Sequence, residues 1–352
     1  MTSTSRPHQP LYLDLEAPAT GSGERAEIMG GVYWATMPVG PDLAAINIWL
    51  LRDGDHWTVV DTGLRSSAAL AAWRQISDDL FSAAPPKRVI CTHMHPDHAG
   101  LSGWLAEEFN TQLLMSRLEY FTLRTLAWDI GRPAPQQALD FYRAAGLDDD
   151  AVDHYRSRFG QFGHMIYPLP DSFHALGHGQ RIEINGHEWQ VVIGSGHSPE
   201  HVCLYCPDLK LFISGDQVLP RISSNVSVYS YEPDADPLSD WLFTLARIKQ
   251  IVPNDVLVLP SHGRPFHGLH ERIDALIAGH EESLRIMHAA LLERPMRAVD
   301  VFPLLFKRAI TAEIGMMAAG ETLAHLACLK VRGLATVTTD DDRIQWWSGI
   351  PA

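Results

Sequence analysis

The segment Thr92-His93-Met94-His95-Pro96-Asp97-His98 puts three imidazoles and one carboxylate into six consecutive positions. Zinc and similar ions take imidazole nitrogen and carboxylate oxygen at about 2.0–2.2 Å. His93 and His95 flank a single residue, so from an extended backbone both side chains reach the same side. Asp97 and His98 then turn toward a second position. Pro96 stiffens the turn, and Gly100 frees the backbone where a helix begins. A lone His-x-His pair could be a chance turn. This cluster ends an apolar strand and opens an amphipathic helix, which is where ligands for two ions can be held.

Such a loop needs a frame. The run 88–91 reads as the strand leading in, and Leu101, Trp104, Leu105 and Phe109 recur afterwards at helical spacing. Upstream, the apolar runs 32–36, 44–51 and 57–60 read as strands, with Asp53-Gly54-Asp55 as a hairpin turn between the last two. A helix is expected over 66–80. Downstream, strands are expected at 181–184 and 188–193 about the turn Asn185-Gly186-His187, then at 201–205 and 211–214. A helix over about 237–250 precedes a strand at 256–259 that runs into Pro260-Ser261-His262-Gly263. Helical patterning over 116–160 interrupts this strand-rich text. Beyond 268 come helices at about 269–292, 298–309 and 320–332, Gly333 as a C-terminal cap, and a hairpin of 335–338 with 343–347. The organisation expected is therefore a flexible or surface-draped extension (1–24), a catalytic domain (25–268) with a helical lid (116–175), and a C-terminal helical, winged-helix-like unit (269–352).

The 352 residues suffice for one large domain or a core with a smaller second unit. A net charge of −14 and the lack of any basic cluster lead us to expect no nucleic-acid partner. No apolar run is long enough for a bilayer. The start of the chain lacks the apolar stretch of a signal peptide, so the expected location is cytoplasmic. Four cysteines at irregular spacing make no disulfide framework, and Cys203 and Cys206 read as buried strand residues. His164, His174, His178 and His187 fall in loops or turns and read as mostly surface groups. A small-molecule substrate is expected, and a homodimer is allowed.

The segment 92–98 resembles the signature of the metallo-β-lactamase superfamily. The other landmarks of that family follow in order: Asp61-Thr62-Gly63, Gly196-His197-Ser198-Pro199-Glu200-His201, Ser214-Gly215-Asp216 and Pro260-Ser261-His262-Gly263. The resemblance covers roughly residues 28–268. It implies an α/β fold, a four-layer αβ/βα sandwich with the metals at one sheet edge. It also implies a ligand set: His93, His95 and His197 for one ion, Asp97, His98 and His262 for the other, and Asp216 between them. Asp61 would orient a histidine or shape the loop. His201 reads as a hydrogen-bonded core histidine or a support for a ligand. Arg221 and Asn225 follow Asp216 and are candidates to face the substrate, Arg221 for a carboxylate or phosphate.

The implied activity is metal-dependent hydrolysis through a hydroxide bridging two ions, most simply zinc, with iron or manganese as alternatives. Asp97 is the catalytic candidate, placed to receive or orient the proton of the nucleophile. Asp216 argues against the β-lactamase branch, and His95 against the flavodiiron branch. Small carboxylic esters, thioesters or lactones are the expected substrates. A phosphodiesterase or RNase is the alternative, a mononuclear-iron persulfide dioxygenase a weaker one, and a non-catalytic binding module is disfavoured by the intact ligand set. Substrate choice is expected in the lid, where Trp128, Phe141, Tyr142, Tyr155 and Phe162 could form an apolar underside.

Overall fold

The computed structural model describes residues 10–40 and 45–351. Residues 1–9 of the expected extension, and Ala44 of the expected second strand, lie outside them. The strands in chain order are β1 (Leu11–Tyr12), β2 (Arg25–Met29), β3 (Val32–Pro38), β4 (Ala45–Asp53), β5 (His56–Val60), β6 (Pro86–Ile90), β7 (Gln112–Ser116) and β8 (His174–Leu176). They continue with β9 (Arg181–Ile184), β10 (His187–Gly194), β11 (His201–Cys206), β12 (Leu211–Gly215), β13 (Leu257–Pro260), β14 (Phe266–His267), β15 (Ala335–Thr339) and β16 (Gln345–Gly349). One seven-stranded sheet runs β2-β3-β4-β5-β6-β7-β8, the other β1-β14-β13-β12-β11-β10-β9.

Alternation along each strand explains the layering, because successive side chains leave opposite faces. In β4, Ile46, Ile48 and Leu50 join Trp73 and Leu105 on the outer, helix-covered face, while Trp49 and Leu51 enter the core between the sheets. In β11, Val202, Leu204 and Cys206 enter that same inter-sheet core, and Cys203 and Tyr205 face outward. The first sheet is covered by α1 (Ser67–Ile76), α3 (Ser102–Glu108) and α4 (Arg117–Ala127), with the short α2 (Pro96–Ala99) between the first two. The second is covered by α8 (Pro237–Ile251) and the C-terminal helices named below. This is the four-layer αβ/βα sandwich. Both Cys203 and Cys206 are free and buried, in keeping with a strand role.

The 116–175 block contains α4, α5 (Gln136–Ala144), α6 (Asp149–Arg158), α7 (Gln161–His164) and the start of β8. Its helices divide between the two halves. Tyr120 and Leu123 of α4 join the core outside the first sheet, whereas Leu139, Tyr142 and Val152 of α5 and α6 join the one outside the second. The aromatics expected as an apolar underside are mostly spent on packing. Tyr142 is buried, Phe141, Tyr155 and Phe162 pack against core residues, and Trp128 is 73 % exposed. Tyr142→Ala should therefore cost about 3–5 kcal/mol, as large aromatic truncations in cores do. Trp128→Ala should stay within about 0.5 kcal/mol. Urea melts of the two variants decide this, and equal midpoints would contradict the packing described.

After α8 (Pro237–Ile251), three helices follow, α9 (Leu269–Glu293), α10 (Ala298–Leu305) and α11 (Ala312–Val331), then the antiparallel hairpin β15–β16. α11 begins well before the expected 320, because the added segment 312–319 is rich in the good helix formers Ala, Glu and Met, which carry Gly315, and Ala319, Leu323 and Leu326 bury against the second-half core. One other expectation needs correction. The helix expected over 66–80 ends as α at Ile76 and continues as a π-helical turn, Ser77–Phe81. Of the two readings of the extension, residues 11–15 take the draped one: Leu11–Tyr12 pair with Phe266–His267, and Arg264 donates to the carbonyls of Leu13 and Leu15. A two-residue strand gives no periodicity to read. No helix among the described residues is long and apolar enough to cross a membrane.

Candidate metal centre

The candidate ligands leave strand ends at one edge of both sheets. His93 to His98 follow β6, His197 follows β10, Asp216 follows β12 directly, and His262 follows β13. β12 and β13 run parallel and β10 points the same way, so the three second-sheet loops emerge together. All seven side chains converge in three overlapping groups: His93, His95 and His197; His93, His98 and Asp216; Asp97, His98 and His262.

The first group is a tight triangle. His93 Nε2 lies 2.8 Å from His95 Nδ1, which is 3.1 Å from His197 Nε2, which is 3.2 Å from His93 Nε2. Tetrahedral ligands at zinc distances stand about 3.3 Å apart, so this triangle suits one cation. In the second cluster, Asp97 Oδ2 lies 3.6 Å from His98 Nε2 and 3.2 Å from His262 Nε2. Asp216 spans the two. Its Oδ2 is 3.5 Å from His197 Nε2 and 3.6 Å from His98 Nε2, and its Oδ1 is 3.7 Å from His262 Nε2.

The fit can be tested on atoms left without partners. His98 Nε2, His262 Nε2 and Asp216 Oδ1 are buried and make no hydrogen bond. Such orphans are costly unless something else satisfies them, and all three point into the same cluster. The opposite ring nitrogens are fixed by acceptors. His197 Nδ1 donates to the Asn225 carbonyl (2.7 Å), His262 Nδ1 to the Ala45 carbonyl (2.8 Å), and His98 Nδ1 to Asp61 Oδ2 (2.8 Å). These bonds select the tautomers that leave the Nε2 lone pairs free toward the centre. Thr92 Oγ1 donates to Asp61 (2.9 Å) and stands 3.1 Å from His93 Nδ1, so it accepts there. The residues fit divalent-metal binding.

Electrostatics agree. Burial and the neighbouring His197 hold the His95 pKa down to about 3, and burial with His98 and His95 nearby keeps His93 neutral. Burial alone would raise Asp97, but His98 and His262 beside it hold it down at about 2. Burial resists a charge on His98, yet Asp97, Asp216 and Asp61 overcome it and lift its pKa well above the usual value. A cation in place of that proton answers the same three carboxylates.

The remaining candidates take distinct places. Asp61 sits in the left-handed region (φ 62°) and accepts from the Thr92 amide (2.7 Å) besides holding His98. His201 is buried and belongs to none of the three candidate ligand groups. Its Nε2 accepts from the Asp216 amide (3.0 Å), and its ring stacks on His93 at 4.7 Å. Gly215 permits that approach, because a Cβ there would lie 2.3 Å from His201 Cε1. Asn225 acts through its carbonyl. Arg221 is exposed and lies over Tyr12, with Nε donating to the phenol oxygen at 3.1 Å.

Three residues of the site went unread in the sequence. Glu119, buried in α4, accepts from the amides of Met94 and Glu200, both at 2.8 Å, and so ties the first ligand loop to the loop after His197. Burial raises its pKa to about 6 against those hydrogen bonds. Asn47 donates to the carbonyls of Pro260 and Gly263, each at 2.7 Å, bracketing His262. Ala45 contributes only a carbonyl. A lone acid among Leu118, Tyr120 and Leu123 was the one available signal for Glu119.

Fold and site define a metal-dependent hydrolase, and the chain belongs to the metallo-beta-lactamase superfamily, whose family model matches residues 41–263. A second model, the metallo-beta-lactamase-like C-terminal domain, matches residues 284–350. Among solved structures, a beta-lactamase domain protein from Burkholderia ambifaria is 36 % identical, covers 97 % of this chain and 98 % of its own, and superposes with a TM-score of 0.88. The probable metallo-hydrolase YqjP of Bacillus subtilis is 24 % identical over 82 % of this chain and 89 % of its own length. The human acyl-coenzyme A thioesterase MBLAC2 is also 24 % identical, over 73 % of this chain and 86 % of its own. Family and clustered His and Asp side chains together point to divalent-metal binding.

Proposed function

We propose that this chain hydrolyses small carboxylic esters, thioesters or lactones with two divalent ions, zinc first among them. His93, His95 and His197 would hold one, Asp97, His98 and His262 the other, and Asp216 would serve both. The observation that carries the reading is the overlap of the three ligand groups around orphaned buried atoms. Bound ions supply Lewis acidity toward a carbonyl oxygen and a water acidic enough to ionise near neutrality. Asp97 stays a carboxylate and, at 16 % side-chain exposure, is the ligand oxygen most open to solvent, so it can accept and orient a proton of the attacking water. Asp61, Thr92 and the carbonyls of Ala45 and Asn225 hold the imidazoles in register throughout. A thioester is favoured within the class by the likeness to a relative named as an acyl-coenzyme A thioesterase.

The charge of a phosphodiester would be offset mainly by the two bound ions, helped further by a side-chain cation beside them. Arg221, the nearest cationic residue to Asp216 in sequence, is committed to Tyr12 instead. The carboxylic class therefore stands first. Fully loaded protein should contain about two ions per chain, lose turnover to a chelator, and recover it on zinc addition. A panel of acyl thioesters, aryl esters and lactones set against bis-aryl phosphates and RNA tests the class. Cleavage of the phosphates, abolished by Arg221→Ala with the metals retained, together with inertness toward the carboxylic substrates, would overturn it. A loaded protein holding one ion per chain would refute the two-ion assignment.

A further inference from the structure

The segment from Asp216 to Val228 carries Asp216 at one end and, at Asn225, the carbonyl that orients His197. Much of its side and main chain is held by the C-terminal helices. Arg272 of α9, buried, donates from Nε to the Leu219 carbonyl (2.6 Å) and from a terminal nitrogen to the Ile222 carbonyl (2.8 Å). His325 of α11 donates from Nδ1 to the Glu321 carbonyl (2.8 Å), which leaves its Nε2 to accept from His280 Nδ1 at 3.2 Å. His280 Nε2, 3.0 Å from Ser223 Oγ, then accepts from that hydroxyl. Ser224 donates to the Asp216 carbonyl.

α11 meets the segment with its own backbone. The Val228 amide donates to the Gly320 carbonyl at 3.0 Å, and a Cβ on Gly320 would meet Ser227 Oγ at 2.8 Å and Ser227 Cβ at 2.9 Å. The next residue, Glu321, accepts from Asn225 Nδ2 at 3.1 Å, while Asn225 Oδ1 accepts from Ser227. Both faces of the Asn225 amide are thereby fixed, and with them the carbonyl 2.7 Å from His197 Nδ1.

We propose that the C-terminal unit is a working part of the metal centre, with Glu321 a positioning residue that sets His197 through Asn225. The proposal rests on the two-ion reading above. It assigns the helices of this unit a task behind His197, on the Nδ1 side of its ring. Outer partners of metal ligands typically control affinity by about 10–100-fold, and Glu321 acts one residue further out, so the lower end applies.

The test is competition for zinc between the full chain and a chromophoric chelator, with circular dichroism and thermal melting alongside. Glu321→Ala should weaken one ion by about tenfold and lower kcat more than it changes KM. Glu321→Gln, whose amide oxygen can still accept from Asn225, should restore most of that affinity. Gly320→Ala should weaken the same ion by pushing residues 227–228 away. If Glu321→Ala does not fold, Asn225→Ala is read in its place, since it removes the side chain and keeps the carbonyl. Wild-type zinc affinity in the folded variants, with only the melting temperature lowered, would overturn the proposal and leave a merely structural contact. A wild-type chain that binds no zinc would instead refute the metal reading itself.

Discussion

Asp216→Ala should leave a folded protein that has lost one ion and at least about a hundredfold in kcat/KM, or roughly 2.7 kcal/mol of transition-state stabilisation. Among the described residues, Asp216 is the one carboxylate within 3.7 Å of imidazole nitrogens belonging to both clusters, His197 on one side and His98 and His262 on the other. Without it, two dications at close quarters would repel with little between them. The fold should tolerate the change, because the Asp216 amide, not its carboxylate, bonds His201, and its carbonyl bonds Ser224. Metal analysis after desalting, read beside a thermal melt, checks both halves. Two retained ions with undiminished turnover would remove Asp216 from the centre.

Glu119→Ala should be costly to stability and function together. Its carboxylate is fully buried and accepts two backbone amides from different ligand loops. Deleting the acceptor leaves those amides without partners, at about 3 kcal/mol for bonds to a charged group. It also frees Met94, between His93 and His95, and Glu200, just beyond His197. Urea melts of chelated protein isolate the stability term, and zinc competition the second effect, expected near tenfold or more. A variant as stable as wild type without metal would mean that the two loops hold each other without the clamp.

The candidate ligands of 93–98 could be read from sequence because their chemistry needs particular side chains at tight spacing. His197, His262 and Asp61 lie far from that cluster and were visible only through the resemblance of their segments to the family's landmarks. The Ala45 and Asn225 carbonyls were not, since every residue carries one and only the tertiary path selects these. β7 escaped notice because Gln112–Ser116 is a short apolar run that suits either a strand or a buried helix segment. Most of the central strands were legible from apolar runs and turn residues, whereas the four-layer arrangement came only with the resemblance to the family. The destination of the lid aromatics was not, because Tyr142 and Phe162 carry the same pattern whether they meet substrate or core.

The ligand loops come from both sheets, His93 to His98 from the first and His197, Asp216 and His262 from the second. Bound ions would therefore act as a removable rivet between the halves, joining positions far apart in the chain. Folding is then tied by mass action to free metal: an ion at a hundred times its dissociation constant adds about 2.7 kcal/mol per site. A cell short of that metal would hold a less stable population of this protein, one opening more often to proteases along the seam between the sheets. Protein abundance, and not occupancy alone, would then follow the metal supply.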